Sequence, residues 1–103
     1  MAYDFTGKVA LITGSGRGVG RATAIYFAQR GADIVVNYLR KKSAAEETAK
    51  EIEALGRKAL IVKADVGDEA DLDRLIAETE ATFGGLDILV NNAASGYARP
   101  VME

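Results

Sequence analysis

Short apolar runs alternate with amphipathic segments along most of the chain, and this alternation constrains the fold more than any other feature. The segments 8–13, 33–37, 59–62 and 86–90 each contain a short run of apolar or β-branched residues without polar alternation, as in strands buried on both faces. Between them, apolar residues recur every three or four positions over 18–30, 43–55 and 68–83, as in helices. The resulting β-α-β-α-β-α-β order predicts an α/β fold with a parallel sheet and helices on both faces.

The order of the strands follows from the handedness of their connections. Right-handed crossovers place the strands of this Rossmann-type sheet in the order 3-2-1-4, with the chain reversing direction between the third and fourth. Ligands of such sheets bind at the carboxyl ends of the strands beside the reversal, here between the first and fourth strands. The length suits one small domain, so we predict a single dinucleotide-binding unit over 1–103.

Polar residues predict where two of the helices begin. Ser43 and Glu46 have the Ser-x-x-Glu spacing of a capping box, so we expect the second helix to start at Ser43. Asp68 is the predicted N-cap of the third helix, with Asp71 in its first turn.

A glycine-rich stretch, Thr-Gly-Ser-Gly-Arg-Gly-Val-Gly at 13–20, separates the first strand from the first helix. Its glycines carry no Cβ, so the backbone can reach positive φ and a bulky anion can approach the N–H groups. A helix beginning at Gly18 would direct its positive end at that anion. The stretch lacks the Gly-Lys-Ser/Thr ending of nucleoside-triphosphate loops, so the predicted ligand is a pyrophosphate. A glycine-rich surface turn without a ligand is the alternative.

The spacing Thr-Gly-x-x-x-Gly-x-Gly, carried by Thr13, Gly14, Gly18 and Gly20, resembles the cofactor loop of the short-chain dehydrogenase/reductase family. The Gly-x-Gly-x-x-Gly fingerprint does not fit, because Val19 stands where its third glycine would fall. The resemblance covers essentially the whole chain and implies a nicotinamide cofactor. The loop residues that it implies as cofactor contacts are Gly14, Ser15, Gly16, Arg17, Gly18, Val19 and Gly20.

The segment after the third strand, Asp65-Val66, resembles a further motif of the family. The resemblance implies that Asp65 contacts the adenine amino group and that the backbone of Val66 assists. The alternative is that Asp65 only caps a turn.

The segment after the fourth strand, Asn91-Asn92-Ala93-Ala94, is similar to the family's Asn-Asn-Ala-Gly and differs at Ala94, where glycine is usual. The resemblance implies that Asn91 steadies the central sheet. It also implies that Asn92, Ala93 and Ala94 border the cofactor, with less room on the ribose and nicotinamide side because of Ala94.

Basic residues around the end of the second strand favour NADP(H) over NAD(H). No acidic residue, which would hold a ribose 2′-hydroxyl, occurs from 37 to 45. Instead Arg40 and, in the glycine loop, Arg17 can pair a 2′-phosphate, with Lys41 and Lys42 as weaker candidates. The alternative is that these residues form only a solvated approach to the second helix.

Two short segments, Asn91 to Gly96 and Arg99 to Glu103, resemble one branch of the family, the NADPH-dependent enoyl-acyl carrier protein reductases of the third bacterial type. Asn37, Tyr38 and Arg40 are consistent with that branch. The resemblance implies hydride transfer to a carbon-carbon double bond of an acyl carrier protein-linked thioester, in fatty acid synthesis. The 3-oxoacyl-acyl carrier protein reductases share all the cofactor motifs and remain an alternative. A non-catalytic nucleotide-binding or structural module is another.

The family's catalytic serine, tyrosine and lysine come well after the Asn-Asn-Ala motif, so we predict no catalytic residue in this chain. We expect it to be the cofactor-binding half of an oxidoreductase, truncated relative to the full family fold and inactive alone. A single helix would cover one face of the sheet, so we expect bare apolar surface on the central strands and an exposed fourth strand. We expect either self-association through that face and edge or that the chain is a piece of a longer polypeptide.

Composition excludes several other classes of function. The 13 basic and 15 acidic residues give a net charge of −2 with no extended basic face, so we expect no nucleic-acid partner. The chain has no cysteine or histidine to serve as metal ligands or as a histidine base. It has no signal peptide and no apolar run near the roughly 20 residues that span a bilayer, so we expect a cytoplasmic protein without a membrane partner.

Overall fold

A computed structural model of the chain describes residues 4–92. The predicted cofactor contacts Ala93 and Ala94, and the segments of 93–103 that resemble enoyl reductases, lie outside the described residues. Within them, strands and helices alternate as predicted. The elements are β1 (Val9–Ile12), α1 (Gly18–Gln29), β2 (Asp33–Tyr38), α2 (Lys42–Ala54), β3 (Ala59–Lys63), α3 (Glu69–Phe83) and β4 (Ile88–Val90).

The four strands form one parallel sheet in the order β3-β2-β1-β4, which confirms the predicted topology. β1 lies between β2 and β4, with Ala10 opposite both Ile34 and Ile88. The β1–β2 ladder ends at the pair Ile12–Val36, whereas the β2–β3 ladder continues to Tyr38–Lys63. The end of β2 therefore extends beyond its neighbour β1, at the edge of the sheet where the glycine-rich stretch begins.

Helices cover both faces of the sheet, as predicted. On one face the small side chains of α1 and α2, among them Ala24, Ala28 and Ala45, pack against alternate residues of β1 and β2. On the other face Leu75 of α3 packs against the intervening residues of the central strands. Small residues at the first interface let α1 and α2 approach the sheet closely.

The prediction of bare apolar surface on the central strands is wrong. Val9, Leu11 and Val35 face α3 and are all buried. They are covered because Leu75 is joined there by further apolar side chains, which are Leu60, Val66, Leu72, Ile76, Phe83 and Leu86. Apolar exposure in the sheet is instead concentrated at β4, where the side chain of Leu89 is 55% exposed.

The two predicted helix starts have different outcomes. Asp68 caps α3, since its side chain accepts hydrogen bonds from the backbone N–H groups of Ala70 and Asp71. The capping box at Ser43 is wrong: α2 begins at Lys42, and its N-cap residue is Lys41, which makes no side-chain cap. The amino end of α2 is therefore basic and lacks a side-chain cap.

In the part of the chain that the structure describes, the longest helix is α3 with 15 residues. None of the described helices is both long enough and apolar enough to cross a membrane.

Candidate cofactor-binding site

The glycine loop, residues 13–20, joins the end of β1 to α1 in a conformation that depends on glycine. Gly14 and Gly18 have φ angles of +64° and +62°, which side chains with a Cβ rarely adopt. At Gly20 a Cβ would lie 2.2 Å from the carbonyl oxygen of Gly14 and 2.7 Å from Nδ2 of Asn92. Glycine at these positions allows the tight turn and lets α1 approach the end of the sheet.

The inner half of the glycine loop is bonded to β2 and α2. Ser15 is fully buried: its N–H donates to the carbonyl oxygen of Asn37 at 3.0 Å, and its hydroxyl accepts from the Asn37 N–H at 3.0 Å. Gly16 packs against Ala45, and its carbonyl oxygen accepts a hydrogen bond from the Thr48 hydroxyl at 2.9 Å. Ser15 and Gly16 therefore hold the loop against β2 and α2. Their contact with the cofactor stays a prediction.

Asn37 is central to the site, although we did not predict a role for it from its own chemistry. Its side chain is buried at 2% exposure. Its Oδ1 accepts from the Gly14 N–H at 3.0 Å, and its Nδ2 donates to the carbonyl oxygens of Val62 at 3.3 Å and Ala64 at 3.1 Å. The only available signal was an amide at the end of an otherwise apolar strand.

The outer half of the glycine loop faces solvent. Arg17, Gly18 and Val19 are exposed, and Val19 reaches 74% despite its apolar side chain. Gly18 opens α1, so the first N–H groups of the helix have no acceptor within the helix and point outward along its axis. This half of the loop therefore combines free donors, the positive end of a helix dipole and an open approach.

The ends of β1 and β4 are joined beside the loop. The backbone N–H of Asn92 donates to the Thr13 hydroxyl at 2.7 Å, and its side-chain amide lies 3.4 Å from the carbonyl oxygen of Gly14. Asn91 is exposed, with Oδ1 3.4 Å from the Thr13 hydroxyl oxygen. The structure thus brings Asn92 against the glycine loop, at the predicted point of chain reversal, and Asn91 is bonded to the end of β1.

Asp65 lies in a turn after β3. Its Oδ1 accepts from the Gly67 N–H at 2.9 Å, and its own N–H donates to the Asp71 carboxylate at 2.9 Å. Asp65 is exposed, and Val66 packs partly into the core on the α3 face. Asp65 therefore caps this turn, as the alternative interpretation predicted. Contact between Asp65 and an adenine stays a prediction.

Four basic residues surround the junction of the glycine loop with α2. Arg17 follows Gly16, which contacts Ala45 in the first turns of α2, and Arg40, Lys41 and Lys42 lead into the same helix. All four are exposed, and within residues 4–92 none of them forms an ion pair. Arg21 on α1, by contrast, does form ion pairs: its guanidinium pairs with Glu47 and Glu51 of α2.

A shallow, open groove lies at the amino ends of the strands, on the side of the sheet away from the glycine loop. Its two arginines are engaged within the protein: Arg30 lies over the Tyr26 ring at 3.5 Å, and Arg57 donates to the Gly31 carbonyl oxygen at 3.0 Å. The glycine loop at the carboxyl ends of the strands therefore remains the candidate site.

Comparison with known proteins identifies the family. Residues 8–103 match the family model described as short chain dehydrogenase. The chain therefore belongs to the short-chain dehydrogenase/reductase family of oxidoreductases, whose members bind nicotinamide cofactors.

Relatives and solved structures agree with this assignment. The chain is 53% identical over 91 residues to the uncharacterised oxidoreductase YhdF of Bacillus subtilis, covering 88% of this chain and 32% of the relative. The crystal structure of a hydroxysteroid dehydrogenase from Escherichia coli superposes with a TM-score of 0.85 at 39% identity, over 94% of this chain and 41% of the other.

A further solved structure is that of the promiscuous reductase LugOII, described as catalysing keto-reduction at C1 during lugdunomycin biosynthesis. It superposes with a TM-score of 0.78 at 45% identity, over 87% of this chain and 39% of the other. The chain spans about a third of the length of the curated relatives that it matches.

Proposed function

We propose that this chain binds NADP(H) and is the cofactor-binding part of a short-chain reductase. Bound NADPH would supply the hydride, and the residues of this chain would bind and orient the cofactor. The free N–H groups at the start of α1 fit a pyrophosphate because Gly18, which opens the helix, is exposed and carries no Cβ to obstruct the approach.

The preference for NADPH rests on one observation, the unpaired basic cluster at the amino end of α2. Lys41 and Lys42 lie where the helix dipole disfavours positive charge, and no side-chain cap is present. Arg17 and Arg40 add two more exposed cations beside them. A 2′-phosphate placed there would pair with these groups through charge-assisted hydrogen bonds and would offset their mutual repulsion.

Calorimetric titration of the chain with NADPH and NADH tests this proposal. We expect tighter binding of NADPH, and we expect Arg17→Ala and Arg40→Ala each to weaken NADPH roughly tenfold, the scale of a hydrogen bond to a charged group. NADH affinity should change by less than about twofold, because NADH has no 2′-phosphate. Lys50→Ala, which removes an exposed lysine farther along α2, is the matched control and should alter neither affinity.

Two results would contradict the proposal in different ways. Equal affinity for both cofactors in the unmodified chain would show that the basic cluster does not bind a 2′-phosphate. Failure to bind either cofactor would show that this chain does not form a working cofactor site.

For the substrate of a longer protein containing this chain, we propose an acyl carrier protein-linked enoyl thioester, reduced at its carbon-carbon double bond. The support is the resemblance of Asn91 to Gly96 and Arg99 to Glu103 to enoyl reductases. A second candidate is reduction of a 3-oxo group, favoured by the likeness to a reductase described as performing keto-reduction. The rate of NADPH oxidation with enoyl and with 3-oxoacyl thioesters would distinguish the two.

In a longer protein that contains this chain, the sequence after the Asn-Asn-Ala motif would supply the catalytic residues. The family's serine, tyrosine and lysine follow the Asn-Asn-Ala motif, so we propose that this chain alone orients the cofactor without turning over substrate. A measurable rate of NADPH-dependent reduction by the 103-residue chain would overturn this proposal.

A further inference from the structure

The glycine loop is attached to the end of β2 beyond the last pair of the β1–β2 ladder. The β1–β2 ladder stops at Ile12–Val36, yet β2 continues beside β3 for two more residues. Beyond Val36, the glycine loop is joined to β2 by Ser15 and by the side chain of Asn37. The attachment of the loop to the end of β2 therefore depends on these two residues.

The side chain of Asn37 joins both ends of the site. Its Oδ1 binds the Gly14 N–H in the glycine loop, and its Nδ2 binds the carbonyl oxygens of Val62 and Ala64, just before Asp65. One acceptor and two donors are thus used together, as an amide allows. Because these groups are buried, removing any partner would leave a polar group without its hydrogen bond.

We propose that Asn37 is a positioning residue that couples the glycine loop to the adenine end of the cofactor site. This inference rests on the proposed NADP(H) binding. Asn37 is 2% exposed, so it acts through Gly14 and Ala64 rather than by touching the cofactor. It fixes the separation between the N–H groups that receive the pyrophosphate and the β3 end that flanks the adenine.

A fixed separation has a consequence for ligands of different length. Adenosine 2′,5′-bisphosphate reaches both the adenine end and the N–H groups at the start of α1, whereas 2′-AMP lacks the 5′-phosphate and reaches the adenine end and the basic residues but not those N–H groups. The additional affinity conferred by the 5′-phosphate therefore measures how well the two ends are held at the right distance. A role confined to stability would not change that ratio in folded protein.

Dissociation constants of both nucleotides should be measured with the full 103-residue chain and with Asn37→Ser and Asn37→Asp. Serine removes the linkage, and aspartate keeps the shape and the acceptor while losing both donors. We expect the gain from the 5′-phosphate to fall about tenfold in each variant. The control is Thr79→Val, which removes another fully buried side-chain donor, to the Leu75 carbonyl oxygen in α3, and should leave the gain unchanged.

A second measurement needs no variant, in case the Asn37 variants do not fold. Binding of adenosine, which carries no phosphate to contact the glycine loop, should slow hydrogen exchange of the Gly14 amide about twofold or more, because Asn37 transmits the ordering from the adenine end. If the unmodified chain binds neither nucleotide, the proposed function is wrong and this inference falls with it. If it binds both, but the gain persists in the variants or Gly14 exchange is unchanged, only the inference is wrong.

Discussion

Gly20 leaves almost no room for an added methyl group. The nearest atom to a Cβ there is a backbone carbonyl oxygen, which cannot turn aside as a flexible side chain would. Gly20→Ala should therefore lower the free energy of unfolding by about 3 kcal/mol, the upper range for overpacking. Urea denaturation followed by circular dichroism would measure this change.

Gly85→Ala is the matched control for that substitution. A Cβ at Gly85 would meet nothing within 4 Å, and Gly85 does not adopt a positive φ. We expect its effect to stay within about 0.5 kcal/mol. Equal effects of the two substitutions would show that α1 does not need the close approach described above.

Residue by residue, the sequence predicted the glycines of the site better than it predicted their partners. The spacing of the glycines identified the loop, because each glycine contributes by lacking a Cβ and this can be read from the sequence alone. The role of Asn37 depends on Gly14, Val62 and Ala64 meeting at one point, and they are up to 50 positions apart in the chain. The spacing of residues within one segment cannot predict contacts between residues so far apart in the chain.

Among the elements, α2 and α3 begin in different ways, and this difference can be tested. Asp68 bonds two of the free N–H groups of α3, so Asp68→Ala should lower the free energy of unfolding by about 1 kcal/mol. Asp73→Ala, at an exposed site within the same helix, removes the same charge without removing a cap and is the control. Thermal unfolding of both variants would decide, and equal destabilisation would contradict the capping role.

The elements themselves were largely predictable, and their ends were less so. All four strands and three helices were located because continuous apolar runs and helical stripes extend over many residues. The capping box at Ser43 failed because its pattern rests on two residues, and α2 instead starts at Lys42. The fourth strand is shorter than predicted, since Asp87 bonds the Val9 N–H through its carboxylate at 2.8 Å.

At the scale of the whole molecule, β4 is the least covered part of the sheet. It pairs only with β1 among the described strands, and Leu89 is 55% exposed on it. We propose that two copies of this chain associate through this edge and the Leu89 side chain. Leu89→Glu should shift the chain toward monomer, because it places a charge in the shared surface.

Sedimentation velocity over a range of protein concentrations would measure this association. Leu55→Glu is the control. Leu55 is 44% exposed at the end of α2 and lies by the groove at the amino ends of the strands, away from the β4 edge. A compact monomer at high concentration, before any substitution, would overturn the proposed association.

The inner half of the glycine loop has a thermodynamic consequence for ligand binding. Ser15 and Gly16 are bonded to β2 and α2 rather than to their neighbours in sequence, so that half of the loop becomes ordered when the domain folds. Its conformational entropy is lost at folding and is not lost again at binding. A cofactor thus meets a site whose inner wall is rigid beforehand, and its binding entropy reflects chiefly the ligand and the exposed side chains.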